Sequence, residues 1–241
     1  MKAYKKGRIV ENIEISKNIY KMVIDVNLSA APGQFFMFRT KSFRNEPILS
    51  RPFGVCDESC GSLTLLYQVV GEGTDIMASL TPEHEVQLLG PLGNGFNLEN
   101  STNRKIAVVA GGIGIAPLLS LVKKLESKVD FYAGFTEDPY FIDEFRPHVD
   151  KITCASFKKD GIFVTELFDP NDYDLIYACG PNGMLKSIHE KNTSAELQIS
   201  MEAHMACGIG ACLGCTVESS DGEFLRVCKD GPVFNSKEVF S

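Results

Sequence analysis

Four cysteines near the end of the chain set the strongest limit on what it can fold into. Residues 207–215 read Cys-Gly-Ile-Gly-Ala-Cys-Leu-Gly-Cys, and Cys228 follows, which gives the spacing C-x4-C-x2-C-x12-C. Plant-type 2Fe–2S centres use this arrangement, with three thiolates on one tight loop and a distant fourth. Thiolates are soft ligands suited to iron–sulfur clusters. Gly208, Gly210 and Gly214 let the backbone wrap closely and turn N–H groups toward the sulfurs. Structural zinc is the other use of four cysteines, but zinc sites pair short C-x2–4-C knuckles, and Cys228 has no near partner. Cys207, Cys212, Cys215 and Cys228 are therefore the candidate metal ligands. The rest of the chain should supply the source and the destination of the electrons.

At 241 residues the chain has room for one or two domains and a small module. Its 44% hydrophobic and 23% charged residues are those of a globular protein. A net charge of -7 argues against nucleic acid and against anionic membranes as partners. The stretch from Met1 to Arg8 is basic, but no apolar segment follows it, and no run is long enough to span a membrane. A cytoplasmic location is expected. In that compartment eight cysteines point to metal ligands or buried thiols rather than disulfides. Cys56 and Cys60 flank a turn and read as bystanders.

The first hundred residues read as β-structure. Runs at 8–15, 20–26, 34–39, 50–55, 63–70 and 85–89 are strand-like, and turn residues recur between them. Tyr20, Met22, Ile24 and Val26 alternate with Lys21 and Asp25, the period of a half-buried strand. About six such strands suggest a small antiparallel barrel or sandwich. Two motifs lie on it. In Arg51-Pro52-Phe53-Gly54, the Arg can pair with a phosphate, and Pro52, lacking a donor, suits an edge position. In Tyr67–Thr74, a strand runs through a glycine turn into a short helix at 75–80. There Gly73 permits close backbone approach, Thr74 begins the helix, and Tyr67 offers an aromatic face. Each motif alone fits ordinary turn chemistry. Together they suit a dinucleotide, with phosphates at Arg51 and at Gly73-Thr74. Gly90–Phe96 holds too much Gly and Pro for regular structure and reads as a loop. The polar stretch 97–104 marks a boundary.

Strands and helices then alternate, as in a parallel sheet. Lys105–Ala110 is a buried strand, and Gly111–Pro117 turns it into a helix whose apolar face runs from Leu118 to Leu125. A strand at 130–135, a helix at 138–145, strands at 152–155 and 175–179 and a helix at 181–190 are expected after it. Gly112 and Gly114 fit the first two positions of a dinucleotide fingerprint, but Pro117 stands at the third. A pyrophosphate can still sit over this helix start. Cys179-Gly180 repeats the pattern at a second strand end, and such ends converge on the ligand crevice of an open α/β sheet. Thr136-Glu137-Asp138 holds no cation for a 2′-phosphate, which points to NAD rather than NADP. A flavodoxin-like domain with another ligand has the same pattern.

Arg51–Gly54, Gly71–Thr74, Gly90–Phe96, Gly111–Pro117 and Cys179-Gly180-Pro181 stand in the order found in ferredoxin–NADP reductase-like flavoproteins. Residues 200–215 and Val227–Phe234 narrow this. With them the whole chain resembles the electron-transfer subunits of NAD-dependent dihydroorotate dehydrogenases. The resemblance implies a fold of α/β plus all-β type in three parts: an antiparallel β-barrel binding FAD (1–100), a parallel-sheet domain binding NAD (101–198) and a small iron–sulfur module (199–241). By position it assigns Arg51, Pro52, Phe53, Gly54, Leu66, Tyr67, Gln68, Gly73 and Thr74 to FAD. It further implies a partner, an FMN-containing dihydroorotate dehydrogenase catalytic subunit, in a heterotetramer of two of each, serving pyrimidine (UMP) biosynthesis. The family usually carries a hydroxyl residue where Gly54 stands.

The residue chemistry agrees. NAD takes a hydride, a cluster passes single electrons, and a flavin does both. His84, His148, His189 and His204 are scattered, and no acid–base set for an organic substrate is present, so substrate oxidation falls to a partner. The other roles in view are a reductase subunit of a hydrogenase, sulfhydrogenase or oxygenase, and a zinc-holding nucleotide sensor. The block Met205–Cys212 favours the dihydroorotate system over the first.

Overall fold

The computed structural model describes residues 4–43, 46–99 and 101–241. Met1–Ala3 of the basic start and Asn100 at the expected domain boundary lie outside the described residues.

The first unit contains β1 (Tyr4–Ser16), β2 (Ile19–Asp25), β3 (Phe35–Thr40), β4 (Arg51–Gly54), β5 (Asp57–Ser59), β6 (Ser62–Gln68), a helix α1 (Glu72–Ala78) and β7 (Glu85–Leu92). All seven strands pair antiparallel in one sheet of order β4-β3-β7-β1-β2-β6-β5. The alternation in β2 holds, with Met22 and Ile24 buried and Asp25 exposed. Phe36, Phe38, Leu63, Leu65, Tyr67 and Leu88 join them in one core. Each large apolar side chain so buried contributes about 1.5–3 kcal/mol. Among the described residues no ladder between β4 and the β5 side closes the expected barrel. The outer edge of β4 carries Pro52, which lacks the N–H a further ladder would use.

The segment Gly90–Phe96, expected as a loop, begins as strand: β7 runs through Gly90-Pro91 to Leu92. Gly90 serves close packing there, since a Cβ would lie 2.4 Å from the Phe36 ring. The glycines and prolines accommodate a register shift between Phe35 and Met37 of the neighbouring strand.

The second unit contains β8 (Ile106–Gly111), a 3-10 turn (Gly112–Ile115), α2 (Ala116–Val122), β9 (Val129–Phe135), β10 (Lys151–Ser156), α3 (Phe157–Asp160), β11 (Leu175–Cys179), α4 (Asn182–Lys191) and β12 (Glu196–Ser200). β8 to β12 pair in parallel in the order β10-β9-β8-β11-β12. Every residue of β8 and β11 is buried, as a sheet covered on both faces requires.

Two helix expectations are corrected. The segment 138–145 is not helical: Phe141 takes φ 63°, which no right-handed helix accepts. Its aromatic residues instead anchor an irregular connection, Phe145 stacking on Phe131 at 4.3 Å and Tyr140 meeting Phe135 at 4.8 Å. Likewise α2 stops at Val122, and Leu125 reaches the same core from the turn that follows.

The end of the chain adds β13 (Thr216–Glu218), β14 (Phe224–Arg226), β15 (Val233–Asn235) and a final turn of helix, α5 (Ser236–Val239). β13 and β14 form a hairpin. β15 pairs antiparallel with β12, Ile199 opposite Phe234, so this segment extends the nucleotide sheet to six strands. β12 itself runs across the expected 198/199 boundary. No helix among the described residues is long and apolar enough to cross a membrane.

Candidate functional site

Three groups of side chains carry the candidate chemistry. The first is on the β sheet. A Cβ on Gly73 would sit 2.7 Å from Arg51 Nε, so the guanidinium lies directly on the glycine turn that opens α1. Thr74 Oγ1 accepts the N–H groups of Val70 (2.9 Å) and Gly71 (3.1 Å) and donates to the Gly71 carbonyl (2.8 Å). These bonds fix the turn in shape. Arg51, Gly73 and Thr74 are thus brought together as a phosphate cradle would need. The expected open face of Tyr67 is absent. Its ring is 1% exposed, 5.6 Å from Tyr20 and 5.8 Å from Phe53, and its hydroxyl donates to Asn12 Oδ1 at 2.9 Å. Burial raises the phenol pKa far above its ordinary value. Leu66 is also core, whereas Gln68 at the strand end is exposed.

The second group is the crevice at the carboxyl ends of β8, β9, β10 and β11. A cavity of ≈ 510 Å³ opens there. Gly112 lines it, with φ 53° and nothing within 4 Å of a built Cβ. Gly114, Cys179 and Gly180 sit beside the cavity and not in its wall. A Cβ on Gly114 would meet the Cys179 carbonyl oxygen at 2.4 Å, so this glycine lets the helix start lie against the end of β11. Burial, and then the nearby Glu202, push the Cys179 thiol up to about 12.

Sequence reasoning missed the outer wall of this cavity. Phe157 and Phe163 stack at 4.5 Å and 23°, with Ile162 beside them in the lining. All three are solvent-exposed, Phe163 to 59%. The available signal was three large apolar residues in an otherwise polar tract, Phe157-Lys-Lys-Asp-Gly-Ile-Phe163. The same tract corrects the reading of Thr136-Glu137-Asp138 as free of cations. Lys158 Nζ meets Glu137 Oε1 at 2.7 Å, and Lys159 pairs with Asp138. The cations come from α3, on the neighbouring strand's end, and so are invisible to a local reading of residues 136–138.

The third group is the cysteine loop. By spacing and hydrogen bonding the thiols fall into two pairs, Cys207 with Cys212 on the loop and Cys215 with Cys228, whose N–H donates to Cys215 Sγ at 3.4 Å. Two pairs suit a two-iron cluster, one pair to each iron. Backbone N–H groups already point at sulfur: Ile209 and Ala211 to Cys207 at 3.4 Å, Gly210 to Cys228 at 3.1 Å, and Cys228 to Cys215 at 3.4 Å. Burial works against the Cys207 thiolate, but the N–H groups of Ile209, Cys212 and Ala211 outweigh it and bring the thiol down to about 6. Desolvation and the neighbouring Cys215 push Cys228 up to about 12. One cation bound among the four would favour the deprotonated form of all of them.

The cysteine segments rest on the first unit. A Cβ on Gly208 would lie 2.6 Å from Met37 of β3, so the loop rests on the β sheet of the first unit. Asn94 holds the segment after Cys228: its N–H donates to the Gly231 carbonyl at 2.6 Å and its Nδ2 to that of Asp230 at 2.9 Å. Ile209 and Leu213 on the loop and Phe224 on the hairpin are exposed.

The family model described as the iron-sulfur cluster binding domain of dihydroorotate dehydrogenase B matches residues 202–240. A curated relative from Clostridium perfringens, the electron transfer subunit of dihydroorotate dehydrogenase B (NAD(+)), is 41% identical over 98% of this chain and 98% of its own length. The same subunit from Clostridium acetobutylicum is 40% identical over 98% and 97%. Among solved structures, a chain of the NADH-dependent reduced ferredoxin-NADP oxidoreductase superposes with a TM-score of 0.84 at 26% identity, over 97% of this chain and 89% of that one. The ferredoxin reductase of carbazole 1,9a-dioxygenase shares the fold at a TM-score of 0.64 and 17% identity, over 78% and 64%. The paired cysteines, the glycine-lined crevice and full-length identity at this level agree, and the chain belongs to the electron transfer subunits of dihydroorotate dehydrogenase B (NAD(+)).

Proposed function

We propose that this chain carries electrons from a dihydroorotate-oxidising catalytic partner to NAD+ through a 2Fe–2S cluster and FAD, and that each cofactor has a definite seat. The subunit's role in an NAD-linked oxidoreductase of pyrimidine biosynthesis follows from its family. FAD converts between hydride and single-electron transfer, which neither NAD nor a cluster can do. The order is then dihydroorotate, FMN on the partner, cluster, FAD and NAD+.

The seats are as follows. Cys207 and Cys212 hold one iron, and Cys215 and Cys228 the other. Arg51 and the Gly73-Thr74 turn hold the FAD phosphates, and Pro52, Phe53 and Gly54 face the flavin with the backbone of Leu66, Tyr67 and Gln68. The dinucleotide NAD lies along the crevice, its pyrophosphate over Gly112 and its nicotinamide toward Cys179-Gly180. The division is 1–100 for FAD, 101–198 for NAD and 199–241 for the cluster, the last two sharing the sheet through β12 and β15. The complex is a cytoplasmic heterotetramer of two of each subunit, with FMN on the catalytic one.

One observation carries this reading: the loop of paired cysteines rests on Met37 of the flavin sheet with one side and exposes Cys212, Ile209 and Leu213 on the other. A centre held there is near the flavin and open toward a partner. The absorption spectrum of the purified chain tests it. Flavin and cluster bands that bleach with NADH are expected; a colourless, zinc-containing protein refutes it.

A further inference from the structure

The guanidinium of Arg226 stands where the two segments carrying the cysteines meet. Nε and Nη2 donate to the two oxygens of Asp230 at 2.9 and 3.1 Å, a fork-to-fork pair. Nη1 donates to the Gly210 carbonyl at 3.4 Å. Gly210 in turn gives its own N–H to Cys228 Sγ at 3.1 Å. The backbone closes the same turn: the Asp230 N–H donates to the Arg226 carbonyl at 2.7 Å, and the Arg226 N–H to Asp230 Oδ2 at 2.8 Å. Cys228 lies inside that turn. The two side chains are only 29% and 28% exposed, so water screens them in part.

Both groups stay charged. The fork-to-fork geometry pairs the guanidinium with the carboxylate, each side chain holding the other as an ion. A fixed positive and a fixed negative charge therefore flank the thiolates.

We propose that Arg226 and Asp230 form a positioning pair that sets the reduction potential of the centre held by Cys207, Cys212, Cys215 and Cys228. The proposal rests on the ligand assignment above. Reduction adds one electron and no proton, so the centre gains one negative charge. A nearby guanidinium stabilises the reduced form and raises the potential, and a carboxylate offsets it; net charge and hydrogen bonding at sulfur are the levers by which proteins tune such centres. Arg226 acts on both, through its charge and by holding Gly210 so that its N–H meets Cys228 Sγ.

The test is a redox titration of the cluster's electron paramagnetic resonance signal in the complex with the catalytic subunit, at fixed pH. It compares wild type with Arg226→Gln, Arg226→Lys and Asp230→Asn. At a fixed poise, the reduced-to-oxidised ratio falls in Arg226→Gln and rises in Asp230→Asn, each by roughly three- to tenfold, as a partly screened unit charge at this range gives. Arg226→Lys keeps the charge and stays near wild type. Shifts in the same direction for Arg226→Gln and Asp230→Asn, or none, overturn the proposal. Should Arg226→Gln fail to assemble, a ratio in Asp230→Asn that does not rise overturns it alone. Iron absent from the wild type overturns the ligand assignment instead.

Discussion

Gly54 of the β sheet faces Pro117 of the nucleotide unit: a Cβ built on Gly54 would lie 3.4 Å from Pro117 Cβ. This contact sits at the seam between the two units. Ser120 ties the same seam, its N–H donating to the Cys56 carbonyl at 3.0 Å, and Lys123 pairs with Asp57 at 2.6 Å. The strand proposed to face the flavin and the helix start proposed to hold the pyrophosphate are thereby held in a fixed relation, which hydride transfer between two bound cofactors requires.

That distance is ordinary van der Waals contact, so Gly54→Ser is expected to fold normally and keep FAD, and to regain the hydroxyl usual at this position in the family. The expected change in midpoint of thermal unfolding is within about 4 °C, the effect of less than about 1 kcal/mol in a domain of this size. A flavin content below half of wild type contradicts this reading of the seam.

Arg51→Ala removes the cation lying on the Gly73 turn. Loss of one charge-assisted phosphate pair costs about 1.5–3 kcal/mol, or roughly ten- to a hundredfold in FAD affinity. Flavin occupancy after dialysis reads it directly, and unchanged occupancy refutes the role of Arg51.

Phe163→Ala removes the most exposed ring of the crevice wall. Stacking of this kind is worth about 0.5–1.5 kcal/mol, so KM for NADH should rise up to about tenfold with kcat unchanged. Adenine is the ring this wall would stack, so reduced nicotinamide mononucleotide, which lacks it, should be used equally well by both proteins. NADH should also outpace NADPH, because Glu137 and Asp138 take up Lys158 and Lys159; equal rates contradict that pairing.

Cys212→Ser removes one thiolate of the Cys207 pair. The cluster should be lost while FAD stays, since Cys212 is exposed and lies outside the residues assigned to FAD. Iron content and the visible spectrum check it, and normal iron in this variant contradicts the ligand set.

Much of this was legible because the signals were local. The cysteine spacing, the alternation in Tyr20–Val26 and the buried run at Ile106–Ala110 each reflect one element's own geometry. The failures were non-local. Tyr67 was expected to offer a face, but Tyr20 from the next strand covers it. Lys158 and Lys159 reach Glu137 and Asp138 only because β10 lies beside β9. The strand at Glu196–Ser200 follows a polar tract and owes its pairing to β11 and to Phe234, far along the chain. Gly90-Pro91 signalled a loop because local chemistry cannot report a close approach to Phe36.

The most direct measurement is dihydroorotate-dependent NAD+ reduction by the purified complex of this chain with its catalytic partner, proposed to carry FMN, compared with the same complex carrying Cys212→Ser. NAD+ reduction should proceed with the wild-type chain and be lost with Cys212→Ser, while dihydroorotate still bleaches the partner's flavin in both. NAD+ reduction by the catalytic subunit alone, or undiminished rates with Cys212→Ser, would contradict the role of this chain as the relay between them.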